Sequence, residues 1–157
     1  MDPLTIQPQE PIKSSIRSKA SAYGELTLPY IVAVNALNEY AGADSVLDAL
    51  FGTPGVVVRQ TPSGLEHENS RLQDGVWGTA QNPIHTRVSA VLSTERLTPW
   101  SLAQRRARLI SNPWAQRPLD ISVFGVDYSS LDGERLRILP ARALHEIFDV
   151  PASWPEY

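Results

Sequence analysis

Apolar positions recur at helical spacing near the start of the chain and predict a helix over residues 12–23. Four apolar side chains follow one another at steps of four, four and three, on one face of a helix: Ile12, Ile16, Ala20 and Tyr23. Pro11 suits the first turn of such a helix, and Gly24 suits its end. Residues 1–11 contain three prolines and no period, so we expect a loose lead-in there.

A continuous apolar run predicts a central buried strand over residues 28–35. The run LPYIVAVN is rich in β-branched side chains and apolar on both faces, which is typical of an internal strand covered by helices. A polar loop follows it, and the pattern of SVLDALFG then predicts a helix over 45–51 that ends at Gly52. GVVVR indicates a further short strand.

The second half of the chain is more irregular. Residues 60–83 are polar and interrupted by Gly, Pro and Asn, so we expect a long irregular loop there, or an irregular hairpin around LQDGVWG with a turn at Asp74-Gly75. HTRVSAVLST alternates like a strand, whereas RRARLISNP fits a strand or a short helix. Two strand-like segments flank Asp132-Gly133 and predict a hairpin. A helix over 140–149 and a tail at 151–157 are expected to close the chain.

These elements predict a single domain over residues 1–157, of the α/β (or α+β) class. A mixed sheet with its central strand at 28–35 would be flanked by helices at 12–23, 45–51 and 140–149. A chain of 157 residues is long enough to bury a sizeable core.

Composition narrows the function chiefly by exclusion. The absence of cysteine excludes disulfides, thiol nucleophiles and Cys-ligated metals. The net charge of −3 gives no global attraction for nucleic acid, so any such contact has to be local. Phosphate-binding glycine loops, a nucleophile elbow and an H-E-x-x-H motif are missing, and no cofactor is evident. With no signal peptide or membrane-length apolar run, the sequence predicts a cytoplasmic protein without membrane contact.

Four segments of the chain resemble a group of bacterial proteins that is related to the restriction-endonuclease-like PD-(D/E)XK superfamily. They are IRSKASAYGELTLPYIVAVNA, DSVLDALFG, RVSAVLS and NPWAQRPL. In that fold a strand with a Glu-x-Lys or similar motif precedes a helix, which often bears a polar residue four positions before a Tyr, and a buried strand follows. Lys19 and Tyr23 have this spacing. The resemblance therefore implies a nuclease-like domain that is associated with nucleic acid.

The catalytic carboxylates of that superfamily bind Mg²⁺, which activates water, but this sequence has no clear counterpart of them. The nearest candidate, EPIK at 10–13, has one residue too many for Glu-x-Lys and a proline where a central strand needs a backbone donor. We therefore expect the C-terminal part or a degenerate form of a nuclease, not catalytic on its own. Mg²⁺ is expected only if an upstream half or a protein partner supplies the missing residues.

The predicted nucleic-acid-binding residues lie on the first predicted helix. They are Lys13, Arg17, Lys19 and Tyr23. Lysine and arginine side chains neutralise backbone phosphates, so this helix face would lie near a nucleic-acid backbone. The competing interpretation is that these charges solvate the outer face of the helix.

A second hypothesis is a small α/β ligand-binding protein or hydrolase with its site at the loop after strand 28–35. Ligands of open α/β sheets gather at the carboxyl ends of strands. The side chains that would line this site are Asn35, Asn38, Glu39, Glu66, His67 and Asp74. The hypothesis requires that they converge on one concave pocket. The acids and histidine at 66–74 have the chemistry of metal ligands, but a solvated polar loop is the preferred interpretation and no metal site is predicted.

A third hypothesis is a protein–protein interaction module that uses the aromatic side chains of the second half. The chain has four tryptophans: Trp77, Trp100, Trp114 and Trp154. A contiguous exposed patch of Trp and Leu would support this hypothesis, whereas fully buried tryptophans would remove its motive.

Overall fold

A computed structural model of the chain describes residues 7–132 and 135–155. Within these residues, three α-helices and seven strands follow one another in this order: α1 (Gln9–Ala20), β1 (Tyr30–Ala36), α2 (Ala43–Phe51), β2 (Pro54–Thr61), β3 (Gly64–Arg71), β4 (Val88–Glu95), β5 (Arg108–Ser111), β6 (Asp127–Asp132), β7 (Arg135–Leu139) and α3 (Leu144–Ile147). Short 3₁₀ turns lie at Pro99–Gln104 and Ile121–Val123. The predicted α/β (or α+β) class is confirmed.

Five strands form a mixed sheet in the order β1-β4-β5-β6-β7. β1 runs parallel to β4, and β5 runs parallel to β6, while the β4–β5 and β6–β7 pairs are antiparallel. The strand that was predicted at 28–35 exists, but its predicted central position is wrong, since β1 pairs only with β4 among the described residues. The interior position next to it belongs to β4, whose first four residues are all buried.

The first two helices cover the β1–β4 side of the sheet. α1 packs against α2 and β1 through Ile12, Ile16 and Ala20. It begins three residues before the predicted start, because Glu10 and Pro11 both suit a first turn, where a backbone N–H has no helical partner. The lead-in expected at 1–11 is therefore helical from Gln9, and residues 1–6 lie outside the described chain. Tyr23 follows the helix instead of lying on it.

The last helix is shorter than the expected span of 140–149, because the preceding backbone is bonded to the sheet region. The N–H of Ala141 donates to the Asp127 carboxylate at 2.8 Å, and the N–H of Arg142 donates to the Gly125 carbonyl at 3.1 Å. These bonds hold residues 141–142 out of a helix, so α3 begins only at Leu144. Of the tail at 151–157, residues 156–157 lie outside the described chain, as does Gly133 of the predicted Asp132-Gly133 turn.

The prediction of an irregular loop at 60–83 is wrong for its first half. β2 and β3 form a two-stranded antiparallel hairpin that turns at Pro62-Ser63, between the paired residues Thr61 and Gly64. All eight residues of β3 are exposed. A strand that is solvated on both faces shows no apolar–polar alternation, so its sequence resembles a polar loop. Residues 72–83 are irregular, as predicted.

The irregular segment after β3 completes the end of α2. The N–H groups of Val76 and Trp77 donate to the carbonyls of Ala49 and Leu50, which have no partner within the helix. The Trp77 side chain is fully buried, with its ring edge-to-face against Phe51 at 5.0 Å between centroids. The core therefore extends from the sheet through α1 and α2 to this segment.

Candidate functional site

Positive charges and tyrosines gather where α1 ends and where β1 and β4 begin. Arg17 and Lys19 are exposed in the last turn of α1, and Tyr23 is 58% exposed just beyond it. Arg87 is exposed immediately before β4. We call Arg17, Lys19, Tyr23 and Arg87 the basic surface. Three of its members were predicted from the sequence, and Arg87 was missed.

Hydrogen bonds and ring contacts fix the geometry of the basic surface. One guanidinium nitrogen of Arg87 donates to the carbonyls of Tyr23 and Gly24, both at 3.0 Å. The Tyr30 hydroxyl donates to the Lys19 carbonyl at 2.8 Å, and its ring meets Tyr23 edge-on at 5.6 Å. The start of β1 and the segment before β4 thus hold the chain that leaves α1 in place.

The electrostatic environment of His85 shows that these cations act on the same region. Burial lowers the pKa of His85, and the positive charges of Arg17 and Arg87 lower it further. Arg17 and Arg87 come from distant parts of the sequence, and the hydrogen bonds of Arg87 to the carbonyls of Tyr23 and Gly24 bring it to the end of the helix that carries Arg17. Neither of them forms an ion pair within the described part of the chain.

Lys13 does not belong to the exposed surface that the sequence predicted for it. Its side chain is only 2% exposed, and its ammonium donates to Glu10 at 2.8 Å and to Asp74 at 2.7 Å. Burial alone lowers the pKa of Lys13, but the hydrogen bonds with the two carboxylates outweigh burial and raise it above 10.5. Lys13 is therefore a structural link between α1 and the segment after β3.

Asp74 is the other half of this link. One carboxylate oxygen accepts the backbone N–H of Thr53, and the other accepts the Thr53 hydroxyl and the Lys13 ammonium. Burial raises the pKa of Asp74, but the bonds from Lys13 and Thr53 outweigh it and lower the pKa from 3.8 to about 2. The carboxylate is thus committed to three donors of its own chain.

We expect the Asp74 link to make stability depend on pH below about 4. A carboxyl group with a depressed folded-state pKa stabilises the fold above its unfolded-state pKa of 3.8, and this contribution is lost as the pH falls through about 2. The Asp74 side chain is 40% exposed, so solvent screens part of this interaction, and we expect its contribution to the free energy of unfolding to be about 1 to 2 kcal/mol. Urea unfolding of Asp74→Asn should show a lower stability at neutral pH and a smaller decline between these pH values.

Glu66→Gln is the matched control for the Asp74 substitution, since Glu66 is exposed and has no ion pair among the described residues. We expect its unfolding profile to follow that of the unchanged protein. Equal pH profiles for Asp74→Asn and the unchanged protein would contradict the role of the link.

The side chains after β1 have local structural partners. Asn35 donates to the Leu97 carbonyl at 2.8 Å and accepts the Leu97 N–H at 2.9 Å, which ties the end of β1 to the loop after β4. Asn38 accepts the backbone N–H of Tyr40 at 2.9 Å, as in a tight turn. Glu39 is exposed.

The six side chains of the ligand-binding hypothesis do not line one pocket. A shallow groove is lined by the start of α1, by residues 34–38, which include Asn35 and Asn38, and by Ala41. The other four side chains of the hypothesis do not line it: Glu39, Glu66, His67 and Asp74. Glu66 and His67 lie on the exposed hairpin, facing Arg59 and Val58 in its register. The convergence that the hypothesis requires is therefore missing among these residues.

The four tryptophans have different environments. Trp77 is fully buried and Trp114 packs half-buried against the core, whereas Trp100 and Trp154 are 66% and 37% exposed. The indole N–H of Trp154 donates to the Pro99 carbonyl at 3.0 Å, which fixes the tail against the 3₁₀ turn. Only two of the four tryptophans, Trp100 and Trp154, are therefore exposed enough to take part in the interaction surface of the third hypothesis.

In the part of the chain that the structure describes, no three His, Cys, Asp or Glu side chains lie close enough together to hold a metal ion. None of the helices within residues 7–132 and 135–155 has the length and apolarity to cross a membrane. Comparison of the chain with known protein families, curated proteins and solved structures found no match. The resemblance to restriction-endonuclease-like proteins remains a prediction.

Proposed function

We propose that this protein binds the phosphate backbone of duplex nucleic acid through the basic surface. The observation that carries the proposal is the contact of Arg87 with the chain just after α1, which places it beside the last helical turn with the exposed Arg17 and Lys19. It supports a local positive field on a chain whose net charge is −3. Exposed guanidinium and ammonium groups without ion-pair partners are the groups that replace counterions on phosphates.

The proposed role is non-catalytic. In line with the resemblance to nuclease-like proteins, a protein partner or a further segment would supply catalytic carboxylates and their Mg²⁺, while this chain would hold the substrate backbone. A cytoplasmic location is part of the same proposal. The proposed role does not require the Asp74 carboxylate, which three donors of the chain already bind.

Duplex binding over a series of salt concentrations tests this proposal. With three cations on the basic surface, we expect the logarithm of the association constant to fall against the logarithm of salt with a slope of about −3. The double substitution Arg17→Ala and Lys19→Ala should make the slope shallower by about 2 and weaken binding at low salt by about tenfold or more. Fluorescence anisotropy of a labelled duplex measures both quantities.

Arg137→Ala provides the control, because Arg137 is an exposed arginine on β7, away from the basic surface. It removes a positive charge without changing the basic surface, so the slope should stay close to that of the unchanged protein. A lack of duplex binding at low salt would rule the proposal out. So would a slope that the double substitution leaves unchanged.

A further inference from the structure

A second cationic site lies at the opposite end of the sheet, where β4 ends and where β5 and β6 begin. It is a pocket of about 270 Å³, which is below the usual size of a pocket for a drug-sized ligand and suits a small polar group. Eight residues line it: Ser93, Thr94, Glu95, Gln104, Arg105, Arg106, Arg108 and Asp127. We call it the arginine pocket. Three of its residues are arginines, and they come from the segment RRAR that leads into β5.

Hydrogen bonds hold one wall of the arginine pocket in place. Arg106 binds the Asp127 carboxylate in a bidentate pair, with both N–O distances at 2.6 Å, and also donates to the Ala141 carbonyl at 2.7 Å. Asp127 is 7% exposed, and the N–H of Ala141 completes its bonding at 2.8 Å. The pKa of Asp127 is lowered, first by the hydrogen bonds from Arg106 and also by the charge of Arg108. This pair neutralises itself and fixes one wall of the pocket.

The other two arginines have no such partner. Within the described part of the chain, neither Arg105 nor Arg108 forms an ion pair. Both side chains are half-buried, and the Nε–H of Arg105 is buried with no acceptor among the described residues. A guanidinium that is partly removed from water without an acceptor has lost solvation that an anion would restore.

The hydroxyl groups of the pocket are already used as donors. Ser93 donates to the Arg108 carbonyl at 3.3 Å, and Thr94 donates to Asn35 at 3.2 Å. The donors that remain for a ligand are therefore mainly the guanidinium groups. Guanidinium groups form charge-assisted, planar hydrogen bonds with phosphate oxygens, and a tetrahedral phosphate can accept such bonds from several directions.

We propose that the arginine pocket binds a phosphate group, held by the guanidinium groups of Arg105 and Arg108 above the fixed Arg106–Asp127 pair. The phosphate belongs either to a small phosphorylated molecule or to the terminus of a nucleic acid. The basic surface lies at the other end of β1 and β4, so this site is separate from the proposed duplex contact.

Titration with inorganic phosphate, followed by calorimetry, is the first test. We expect weak saturable binding to the unchanged protein and a loss of about tenfold or more in affinity for each of Arg105→Gln and Arg108→Gln, since each removes a charge-assisted contact. Arg117→Gln is the matched control, because Arg117 is an exposed arginine that does not line the pocket. Phosphate that does not bind, or that binds both pocket variants as well as the control, would overturn the proposal.

Glu95→Gln tests the proposal through an expected gain in phosphate affinity, which a misfolded variant would not show. Glu95 lines the same pocket, and its carboxylate repels a bound phosphate. We expect its replacement to tighten phosphate binding several-fold, whereas an unchanged or weaker affinity would contradict the assigned position of the ligand.

Glycerol phosphate and an oligonucleotide with or without a 5′-phosphate identify the source of the phosphate group. A preference for the phosphorylated oligonucleotide that is lost in Arg108→Gln would assign the site to nucleic-acid termini.

Discussion

Replacing Trp77 by alanine should lower the free energy of unfolding by about 4 kcal/mol. The side chain is fully buried, its ring packs edge-to-face on Phe51, and its backbone N–H completes the end of α2. Truncation to a methyl group leaves a cavity between the second helix and the sheet, where the surrounding chain is fixed by backbone hydrogen bonds and can collapse only partly. Urea denaturation followed by far-ultraviolet circular dichroism measures the change.

Two further substitutions show whether this loss comes from the cavity. Trp77→Phe keeps an aromatic ring against Phe51 and removes an indole N–H that has no acceptor among the described residues. We expect Trp77→Phe to lower the free energy of unfolding by only about 1 kcal/mol, because removing an unpaired buried donor offsets part of the lost packing. Trp100→Ala, at a side chain that is 66% exposed, should change stability by about 0.5 kcal/mol at most. Equal losses for Trp77→Ala and Trp100→Ala would contradict the core that is described here.

Replacing Gly52 by alanine should destabilise the protein by about 3 kcal/mol. Gly52 joins α2 to β2 with φ of 100° and ψ of 155°, a conformation that side chains disfavour. A Cβ atom at this position would also overlap the carbonyl oxygen of Leu72. Backbone strain and this overlap each contribute about 1 to 3 kcal/mol. Thermal and urea unfolding of the variant give the measured value.

Gly24→Ala is the control for this substitution. An added Cβ at Gly24 meets no atom within 4 Å, so the methyl group is accommodated without strain. We expect the free energy of unfolding to change by no more than about 0.5 kcal/mol, with a small increase because alanine restricts the conformations of the unfolded chain. If both glycine substitutions had the same effect, the connection between α2 and the hairpin would not depend on the special conformation of Gly52.

The elements that bury one continuous face could be predicted from the sequence. The spacing of Ile12, Ile16 and Ala20 indicated α1, and the apolar runs indicated β1 and β4, because burial against a core imposes a period on the chain. The exposed hairpin could be recognised only in its first strand, which GVVVR indicated. Its second strand has one apolar side chain, Leu65, so it lacks the period of a half-buried strand.

The position of a strand within the sheet could not be predicted from the sequence either. α1 packs on β1 and β4 pairs with it, but only Val32 and Ala36 of its seven residues are buried. An apolar run of this kind therefore does not distinguish a central strand from an edge strand. The short β5 was ambiguous for a similar reason. Its place is fixed by pairing with β4 and β6, which are distant in the sequence.

The candidate sites were predictable only in part, since they depend on contacts between distant residues. Lys13 looked like an exposed cation because its partner Asp74 lies 61 positions away. Arg87 had no local pattern that distinguished it from other surface arginines. The arginine pocket did have a signal, the run RRAR before an apolar segment, but the residues that complete it come from β4, β6 and the 3₁₀ turn at Pro99–Gln104.

The parallel pairing of β1 with β4 also determines the order of events during synthesis. The N–H of Tyr30 donates to the Ser89 hydroxyl, 59 positions further along the chain. At ribosomal rates, β1 therefore waits roughly 3 to 12 seconds for its neighbour to be made. During that interval α1, α2 and the hairpin are the elements already made, and of these α1 is the one that packs on β1. β1 therefore cannot complete its pairing in the sheet until β4 has been synthesised.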